Sequence, residues 1–192
     1  MYDIIVIGGG HAGSEAALAS SRLGNSTLLV TGNIEMIASM PCNPSVGGPA
    51  KGIVVREIDA LGGEMARNAD KTALQMRFLN VSKGPAVRAL RAQSDKVLYS
   101  EEMQKTILNQ SNLEVLEAYV DKIYFENNKV SGVILEDGTI KKSKNVIITT
   151  GTYMQAKILV GANVTKSGPD GQKASFGLSK QLRELGFETS RL

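Results

Sequence analysis

A short apolar strand that leads through a glycine-rich turn into a helix constrains this fold more than any other feature of the chain. Residues 3–7 are mostly β-branched and are followed by Gly8-Gly9-Gly10-His11-Ala12-Gly13. A helix rich in small residues is predicted over about 12–23 and a second strand over 26–31. One strand–helix–strand unit therefore fills the first 31 residues, which predicts an α/β fold with a parallel sheet.

The glycine-rich turn predicts dinucleotide binding, because Gly8, Gly10 and Gly13 have the spacing G-x-G-x-x-G between a strand and a helix. The first glycine allows a tight turn, the second lets the backbone approach a pyrophosphate, and the third lets the helix pack on the strand. The N-terminus of the helix offers free N–H groups and the positive end of its dipole to the phosphates.

The acid that usually binds the ribose, about 20 residues after such a turn, is missing. Thr31, Gly32 and Asn33 stand at that place, and Glu35 follows. Either Thr31 or Asn33 makes the ribose contact, or Glu35 reaches back. The motif by itself does not distinguish FAD from NAD.

The second half of the chain predicts a three-stranded β-meander at about 118–143. Strands are expected over 118–126, 129–136 and 139–143, with hairpin turns at Asn127-Asn128 and Asp137-Gly138. A separate apolar strand, 146–148, then ends before Gly151. A bare dinucleotide-binding module would not need this insert before its next parallel strand, so the meander favours FAD. A last short helix is predicted on Leu178, Leu182 and Leu185.

The segment at about 39–112 is predicted to be an insert of helices and loops within one FAD-binding domain that covers 1–192. It begins with a proline- and glycine-rich loop, 39–52, followed by a helix over about 53–61. A long helix is predicted from Pro85 towards Asn109, because proline is favoured at the first position of a helix.

Positive charge is concentrated in residues 71–96. This stretch holds six basic residues and one acidic residue, Asp95, for a net charge of +5, whereas the rest of the chain has a net charge of −2. Such asymmetry indicates either an anionic partner or a solvated helix face. Lys83, Arg88 and Arg91 lie on or before the predicted helix of this stretch, and Arg88 and Arg91 would share a face of it.

Single cysteine and histidine residues exclude several classes of protein. Cys42 alone cannot form an internal disulfide framework, and with His11 it cannot build a multi-ligand zinc site, so no metal site is predicted. The chain enters its first strand directly after Met1, without a basic or long apolar leader. These features predict a cytoplasmic location and no membrane segment.

Cys42 lies in an unusual setting for a lone cysteine. Such residues are usually small buried hydrophobes, but this one stands in Met-Pro-Cys-Asn-Pro-Ser-Val-Gly-Gly, residues 40–48. A loop thiol that precedes a helix can have a lowered pKa and act as a nucleophile. Both interpretations remain open. His11 is the only histidine that could serve as a base, and it is expected instead to fit the cofactor loop.

The glycine loop and the cysteine loop together resemble the GidA/MnmG family of flavin-dependent tRNA-modifying enzymes. The glycine loop is common to many flavoproteins, whereas the cysteine loop and SKGPAVRALRAQ are much more specific. The similarity covers the whole chain. The matching stretches are IIVIGGGHAGSEAA at 4–17, MPCNPSVGGPAKG at 40–52, EIDALGGEMA at 57–66, LNVSKGPAVRALRAQSDKVLY at 79–99, NVIITTGTYMQAKI at 145–158 and LSKQLRELG at 178–186.

The resemblance implies a Rossmann-like FAD/NAD(P)-binding fold and a set of site residues. It implies that Cys42 is catalytic and that FAD is held by Gly8, Gly9, Gly10, His11, Ala12, Gly13, Val120 and Ser175. It also makes Lys83, Arg88 and Arg91 candidates for contact with tRNA phosphates or with FAD. Family members use NADH and methylene-tetrahydrofolate to install an aminomethyl or carboxymethylaminomethyl group at C5 of the wobble uridine of tRNA. They act as homodimers with an MnmE-type GTPase. They are also much longer, so the resemblance covers an N-terminal part, the domain is expected to be incomplete, and the family's second catalytic cysteine falls outside this chain.

Three other functions compete with this interpretation. A related folate- and FAD-dependent tRNA uridine C5-methyltransferase is opposed by the long match at 79–99. A non-catalytic module could bind a dinucleotide or RNA and support assembly. A plain NAD-dependent dehydrogenase would leave the cysteine loop and residues 79–99 without a role.

Overall fold

The computed structural model of the protein describes residues 1–161, 163–165 and 177–190. Short 3-10 turns lie at Ile34–Met36, Pro85–Val87 and Gly151–Tyr153. The helices and strands are, in chain order, β1 (Tyr2–Ile7), α1 (His11–Arg22), β2 (Thr27–Thr31), β3 (Ser45–Gly47), α2 (Lys51–Ala60), α3 (Met65–Thr72), β4 (Ala73–Leu79), β5 (Ala89–Ser94), α4 (Lys96–Leu108), β6 (Leu113–Glu117), β7 (Val120–Glu126), β8 (Lys129–Leu135), β9 (Ile140–Ile148), β10 (Ile158–Val160), β11 (Asn163–Thr165) and α5 (Gly177–Glu184).

The main sheet has six strands in the order β6-β2-β1-β9-β8-β7. β1 is parallel to both β2 and β9, and β2 is parallel to β6, so four strands form a parallel half. In the register, Ile7 lies opposite Val30 on one side and Ile148 on the other. The predicted α/β fold with a parallel sheet is confirmed, and the carboxyl ends of β1, β2 and β9 meet at one edge.

β9 joins the parallel half of the sheet to the antiparallel half. Its first part, from Ile140, pairs antiparallel with β8, and the part from Ser143 to Ile148 pairs parallel with β1. The prediction of two separate strands, over 139–143 and 146–148, is therefore wrong. No glycine or proline interrupts residues 140–148, so the chain stays extended across the change of partner.

Two hydrophobic clusters cover the two faces of the sheet, and alternate residues of β1 enter each. Val6 belongs to one cluster with Leu18 of α1 and Met103 of α4. Ile5 belongs to the other cluster, together with residues of the meander and Leu178 of α5. All five of these side chains are fully buried. This alternation follows from the two-residue period of a strand and fixes the register of the central strands.

The insert contains a second, three-stranded antiparallel sheet in the order β3-β5-β4. The predicted helix from Pro85 to Asn109 is wrong in its first half. Pro85 opens a single 3-10 turn, Pro85–Val87, and the chain then runs as β5 between two partner strands. The helix begins at Lys96, where the Asp95 carboxylate accepts hydrogen bonds from the N–H groups of Val97 and Leu98, each at 2.9 Å.

The other predicted helices lie close to their expected positions, whereas α3 was not predicted. The helices predicted over 12–23 and 53–61 correspond to α1 and α2, and the last one corresponds to α5. α5 is fixed to the edge strand β7, because the Gln181 amide both accepts from the Ile123 N–H and donates to the Ile123 carbonyl. Among the described helices, none has the length and apolar character that a membrane crossing requires.

Candidate functional site

A cavity of about 200 Å³ lies at the carboxyl ends of the parallel strands. β2 and β9 lie on opposite sides of β1, so the strand order changes direction at β1. Open α/β sheets bind ligands at such a switch point. The volume of this cavity is below that of sites that enclose whole drug-sized ligands, so a dinucleotide would fit the described residues only in part. The lining is formed by residues 7–10, 30–33, 118–120 and 149–153 together with Met36, Ser39 and Pro41.

Gly8 fits the turn because of its conformation and its contact with the end of β9. Its φ angle is +103°, a region that favours glycine, and a Cβ there would lie 2.6 Å from the Thr149 carbonyl oxygen. The Thr149 hydroxyl donates to the carbonyls of Ile7 at 2.8 Å and Gly8 at 3.1 Å. Thr149 therefore holds the start of the glycine loop against β9.

Gly13 and Gly10 serve different purposes. A Cβ at Gly13 would overlap the Gly8 carbonyl oxygen and would lie 2.7 Å from the Thr149 hydroxyl, so Gly13 is required by the fold itself. At Gly10, whose φ is −69°, a Cβ would meet no described protein atom within 4 Å. Gly10 lines the cavity and precedes α1, whose first N–H groups have no partner within the helix. The open space beside Gly10 fits a pyrophosphate that approaches the helix N-terminus.

Thr31 and Asn33 lie at the cavity, whereas Glu35 lines a neighbouring one. The Asn33 side chain accepts a hydrogen bond from the Glu35 N–H at 2.8 Å, and the Thr31 hydroxyl donates to the Asn33 carbonyl at 3.3 Å. Glu117, at the end of β6, accepts from the Ile34 N–H at 2.9 Å. The structure thus brings Thr31 and Asn33, two of the residues predicted for ribose contact, to the cavity, and adds Glu117 as a support of this turn that sequence reasoning missed.

The remaining predicted cofactor residues have different environments. Val120 is buried and lines the cavity, as does Gly9, whereas Ala12 is exposed. Ser175 lies outside the described residues. His11 faces Tyr99, with the two ring centroids 5.7 Å apart. Burial, and secondarily the positive charge of Lys51, lowers the pKa of His11, so the imidazole is neutral near pH 7.

Cys42 is exposed and follows Pro41, a residue of the cavity wall. Pro41, Met36 and Ser39 also line the second cavity, of about 580 Å³, on the other side of residues 36–41. Three residues after the thiol the chain enters β3, and the Pro44 carbonyl accepts from the Ser94 N–H at 2.8 Å. The cysteine loop therefore connects the cavity wall with the small sheet of the insert.

The three predicted RNA-contacting residues do not share a helix. Lys83 and Arg88 are exposed in the connection between β4 and β5, and Arg91 lies within β5. The predicted helical i,i+3 face of Arg88 and Arg91 is therefore wrong, because pairing with β3 and β4 keeps this stretch extended. Lys71, also in the basic stretch, is paired with Glu102 at 2.6 Å.

No three His, Cys, Asp or Glu side chains among residues 1–161, 163–165 and 177–190 come together as a metal site would require.

Comparison with known proteins gives consistent matches over the whole chain. A family model described as glucose inhibited division protein A matches residues 3–192. The tRNA uridine 5-carboxymethylaminomethyl modification enzyme MnmG of Geobacillus kaustophilus is 60% identical over 190 residues, which are 99% of this chain and 30% of that protein. The enzyme of the same name from Bacillus subtilis is 57% identical over the same length. The chain thus spans about 30% of the length of these curated relatives.

Solved structures agree with this result. GidA from Aquifex aeolicus superimposes with a TM-score of 0.93 at 47% identity, covering 97% of this chain and 31% of that one. A GidA-related protein from Thermus thermophilus has a TM-score of 0.71 at 18% identity, covering 97% of this chain and 69% of that one, and shows a shared fold. With the glycine loop, the cavity and these matches taken together, this chain belongs to the glucose inhibited division protein A family, GidA.

Proposed function

We propose that this chain is the FAD-binding portion of a flavoenzyme that installs an aminomethyl or carboxymethylaminomethyl group at C5 of the wobble uridine of tRNA. The open space beside Gly10 carries this proposal, because it lies where the fold leaves room for a pyrophosphate. The names of the relatives, tRNA uridine modification enzymes, supply the substrate.

In this proposal, separate groups of residues contact different parts of the FAD molecule. Residues 8–13 and the first turn of α1 hold the pyrophosphate, Thr31 and Asn33 meet the ribose, and Val120 and Ser175 make further contacts. The bound flavin supplies hydride transfer, with NADH and methylene-tetrahydrofolate as co-substrates of the complete enzyme. Thr149 holds the start of the glycine loop in place through its hydrogen bonds to the Ile7 and Gly8 carbonyls.

Cys42 is the proposed catalytic residue. Its side chain is exposed, and it is joined to the cavity wall through Pro41. An accessible thiol beside a cofactor site can reach a bound nucleobase, which a buried structural cysteine cannot. The complete enzyme is proposed to act in the cytoplasm as a homodimer with an MnmE-type GTPase.

The visible absorption spectrum of the purified chain tests the cofactor assignment. We expect a flavin spectrum after incubation with FAD and removal of free ligand, and no comparable retention of NAD. An intact-mass measurement on the same sample confirms that all 192 residues are present. A colourless protein that retains NAD instead would contradict the FAD assignment.

Replacement of the thiol tests the catalytic role of Cys42. In an enzyme of full family length that carries this sequence, Cys42→Ser should keep FAD but lose most of the wobble-uridine modification, because a hydroxyl is a far weaker nucleophile near pH 7. Nucleoside analysis of tRNA by mass spectrometry gives the measurement. Asn43→Ala, which alters the exposed residue next to Cys42, is the control, and normal modification by Cys42→Ser would reduce Cys42 to a loop-packing residue.

A further inference from the structure

One face of the three-stranded sheet of the insert carries a group of four hydrogen-bond-donating side chains. Arg77 of β4 lies directly opposite Arg91 of β5, and Gln75 lies opposite Gln93. Directly paired residues of antiparallel strands project from the same side of a sheet, and their Cβ atoms are about 5 Å apart. We call these four residues, Gln75, Arg77, Arg91 and Gln93, the arginine face.

The paired arginines have no internal compensation. Like charges directly opposite each other across two strands destabilise a sheet. Within the described residues, neither Arg77, Arg91, Gln75 nor Gln93 has a side-chain hydrogen bond or an ion pair. Gln75 and Arg77 are exposed, and Arg91 and Gln93 are half-buried. The two arginines therefore place like charges on directly paired residues, and neither has an acidic partner among the described residues.

The third strand of the sheet keeps this face open and connects it with the cysteine loop. Gly47 of β3 lies opposite Arg91, and a Cβ at Gly47 would overlap the Leu90 carbonyl oxygen, so no side chain can stand there. Ser45 lies opposite Gln93, three residues after Cys42. A ligand on the arginine face would thus lie next to the segment that carries the proposed catalytic thiol.

We propose that the arginine face binds the phosphodiester backbone of RNA and directs the bound RNA towards the cysteine loop. This inference rests on the proposed function, since tRNA is the substrate that function requires. A phosphate between two guanidinium groups would accept several charge-assisted hydrogen bonds and remove the repulsion between them. The two glutamine amides add neutral donors that suit phosphate or ribose oxygens. The net charge of +5 over residues 71–96 has the sign that an RNA backbone requires.

Single substitutions separate binding from folding. Arg77→Gln and Arg91→Gln each remove one member of the repelling pair, so the free energy of unfolding should stay the same or rise. RNA affinity should fall in the same variants. A purely structural role for the arginines would give the opposite pattern, with lower stability. Lys129→Gln, at the exposed start of β8 in the meander, is the matched control.

The salt dependence of RNA binding provides the measurement. Binding of the 192-residue chain to an unmodified tRNA is followed by fluorescence anisotropy from about 50 mM salt upward. We expect the plot of log K against log salt to be shallower by about 0.7–0.9 for each arginine replaced, by twice as much in the double variant, and unchanged in Lys129→Gln.

Three results would overturn the proposal: parental slopes in both arginine variants, no binding of tRNA by the parent at low salt, or equal displacement of the tRNA by polyglutamate of matched charge. The last result would indicate an acidic protein as the partner. Flavin absorbance, read on the same samples, reports the FAD assignment separately. If the chain keeps FAD but fails these tests, the proposed RNA-binding role of the arginine face is wrong and the FAD assignment still holds.

Discussion

Gly10 and Gly13 belong to the same motif, yet their replacement should have different effects. Gly10→Ala should keep the free energy of unfolding within about 1 kcal/mol of the parent, since the new Cβ meets no described protein atom within 4 Å. It should lose FAD, because the methyl group enters the space assigned to the pyrophosphate. Denaturant titration and flavin absorbance measure the two effects.

Gly13→Val should instead destabilise the protein itself. Its side chain would collide with the Gly8 carbonyl, and overpacking of this kind costs about 1–3 kcal/mol or more. The comparison also has an internal check, because flavin retention by Gly10→Ala at parental affinity would show that the open space beside this residue is not the pyrophosphate site.

The environment of His11 predicts a pH dependence of stability. Its pKa in the folded protein lies below 6.5, mainly because of burial, so the unfolded chain binds more protons between the two pKa values. The contribution of neutral His11 is complete above pH 6.5 and is lost as the pH falls below it. His11→Gln cannot titrate, so the parent should lose more free energy of unfolding than this variant between about pH 8 and about pH 5.5. Denaturant titrations at both pH values provide the measurement, and equal losses would contradict the assignment because His11 is the only histidine.

At the scale of elements, the sequence predicted correctly those helices and strands that depend on neighbouring residues alone. The apolar strand, the glycine turn and the small-residue helix are all encoded within 31 residues, and they appear as β1, α1 and β2. The helix prediction after Pro85 was wrong because this stretch forms a strand that depends on its partner strands. Arg91, for example, is paired with Gly47 on one side and with Arg77 on the other. Such long-range pairing overrides a local helix signal.

The α3 helix depends on a residue that sequence reasoning could not connect with it. Glu64 precedes the helix without a side-chain cap among the described contacts. The Glu15 carboxylate of α1 accepts from the Met65 N–H at 2.6 Å and the Glu64 N–H at 2.9 Å, so it acts as an N-cap supplied from another helix. Arg22 holds the same turn through Glu64, also at 2.6 Å.

Loss of this cap should therefore destabilise the insert. Glu15→Ala is expected to cost about 1–2 kcal/mol of unfolding free energy and to speed hydrogen exchange in α3, because two N–H groups lose their acceptor. Glu15→Gln, which keeps an oxygen acceptor, should recover part of the loss. Glu57→Ala, on the exposed side of α2, is the control. Stability equal to that of the parent in Glu15→Ala would show that the Glu15 cap does not stabilise α3.

At the scale of the whole molecule, the candidate site joins segments that are far apart in sequence. The motif predicted Gly8, Gly10 and Gly13, and the resemblance added Val120. Thr149 could not be foreseen, because it reaches the glycine loop from 141 residues away through the pairing of β9 with β1. Glu117 reaches the turn after β2 in the same way, through the pairing of β6 with β2. The sequence thus predicts which loop binds, whereas the supports of that loop require the sheet topology.

The charge distribution of the whole chain predicts a separate role for Lys83 and Arg88. Both side chains are exposed in the loop beyond the arginine face. Exposed charges act mainly through long-range attraction, which raises association rates and is screened by salt. Reversal of either charge, in Lys83→Glu or Arg88→Glu, should slow tRNA association several-fold at about 50 mM salt and leave the dissociation rate almost unchanged.

The same comparison at high salt completes the test. Stopped-flow mixing at about 500 mM salt should bring the association rates of these variants back to the parental value, because the Debye length is then only about 4 Å. Arg77→Gln and Arg91→Gln should differ, with faster dissociation at both salt concentrations, since direct contacts with phosphate are lost. Lys129→Glu, in the meander, controls for the change in net charge alone. Association rates equal to that control at low salt would identify Lys83 and Arg88 as solvated surface charges without a part in RNA recruitment.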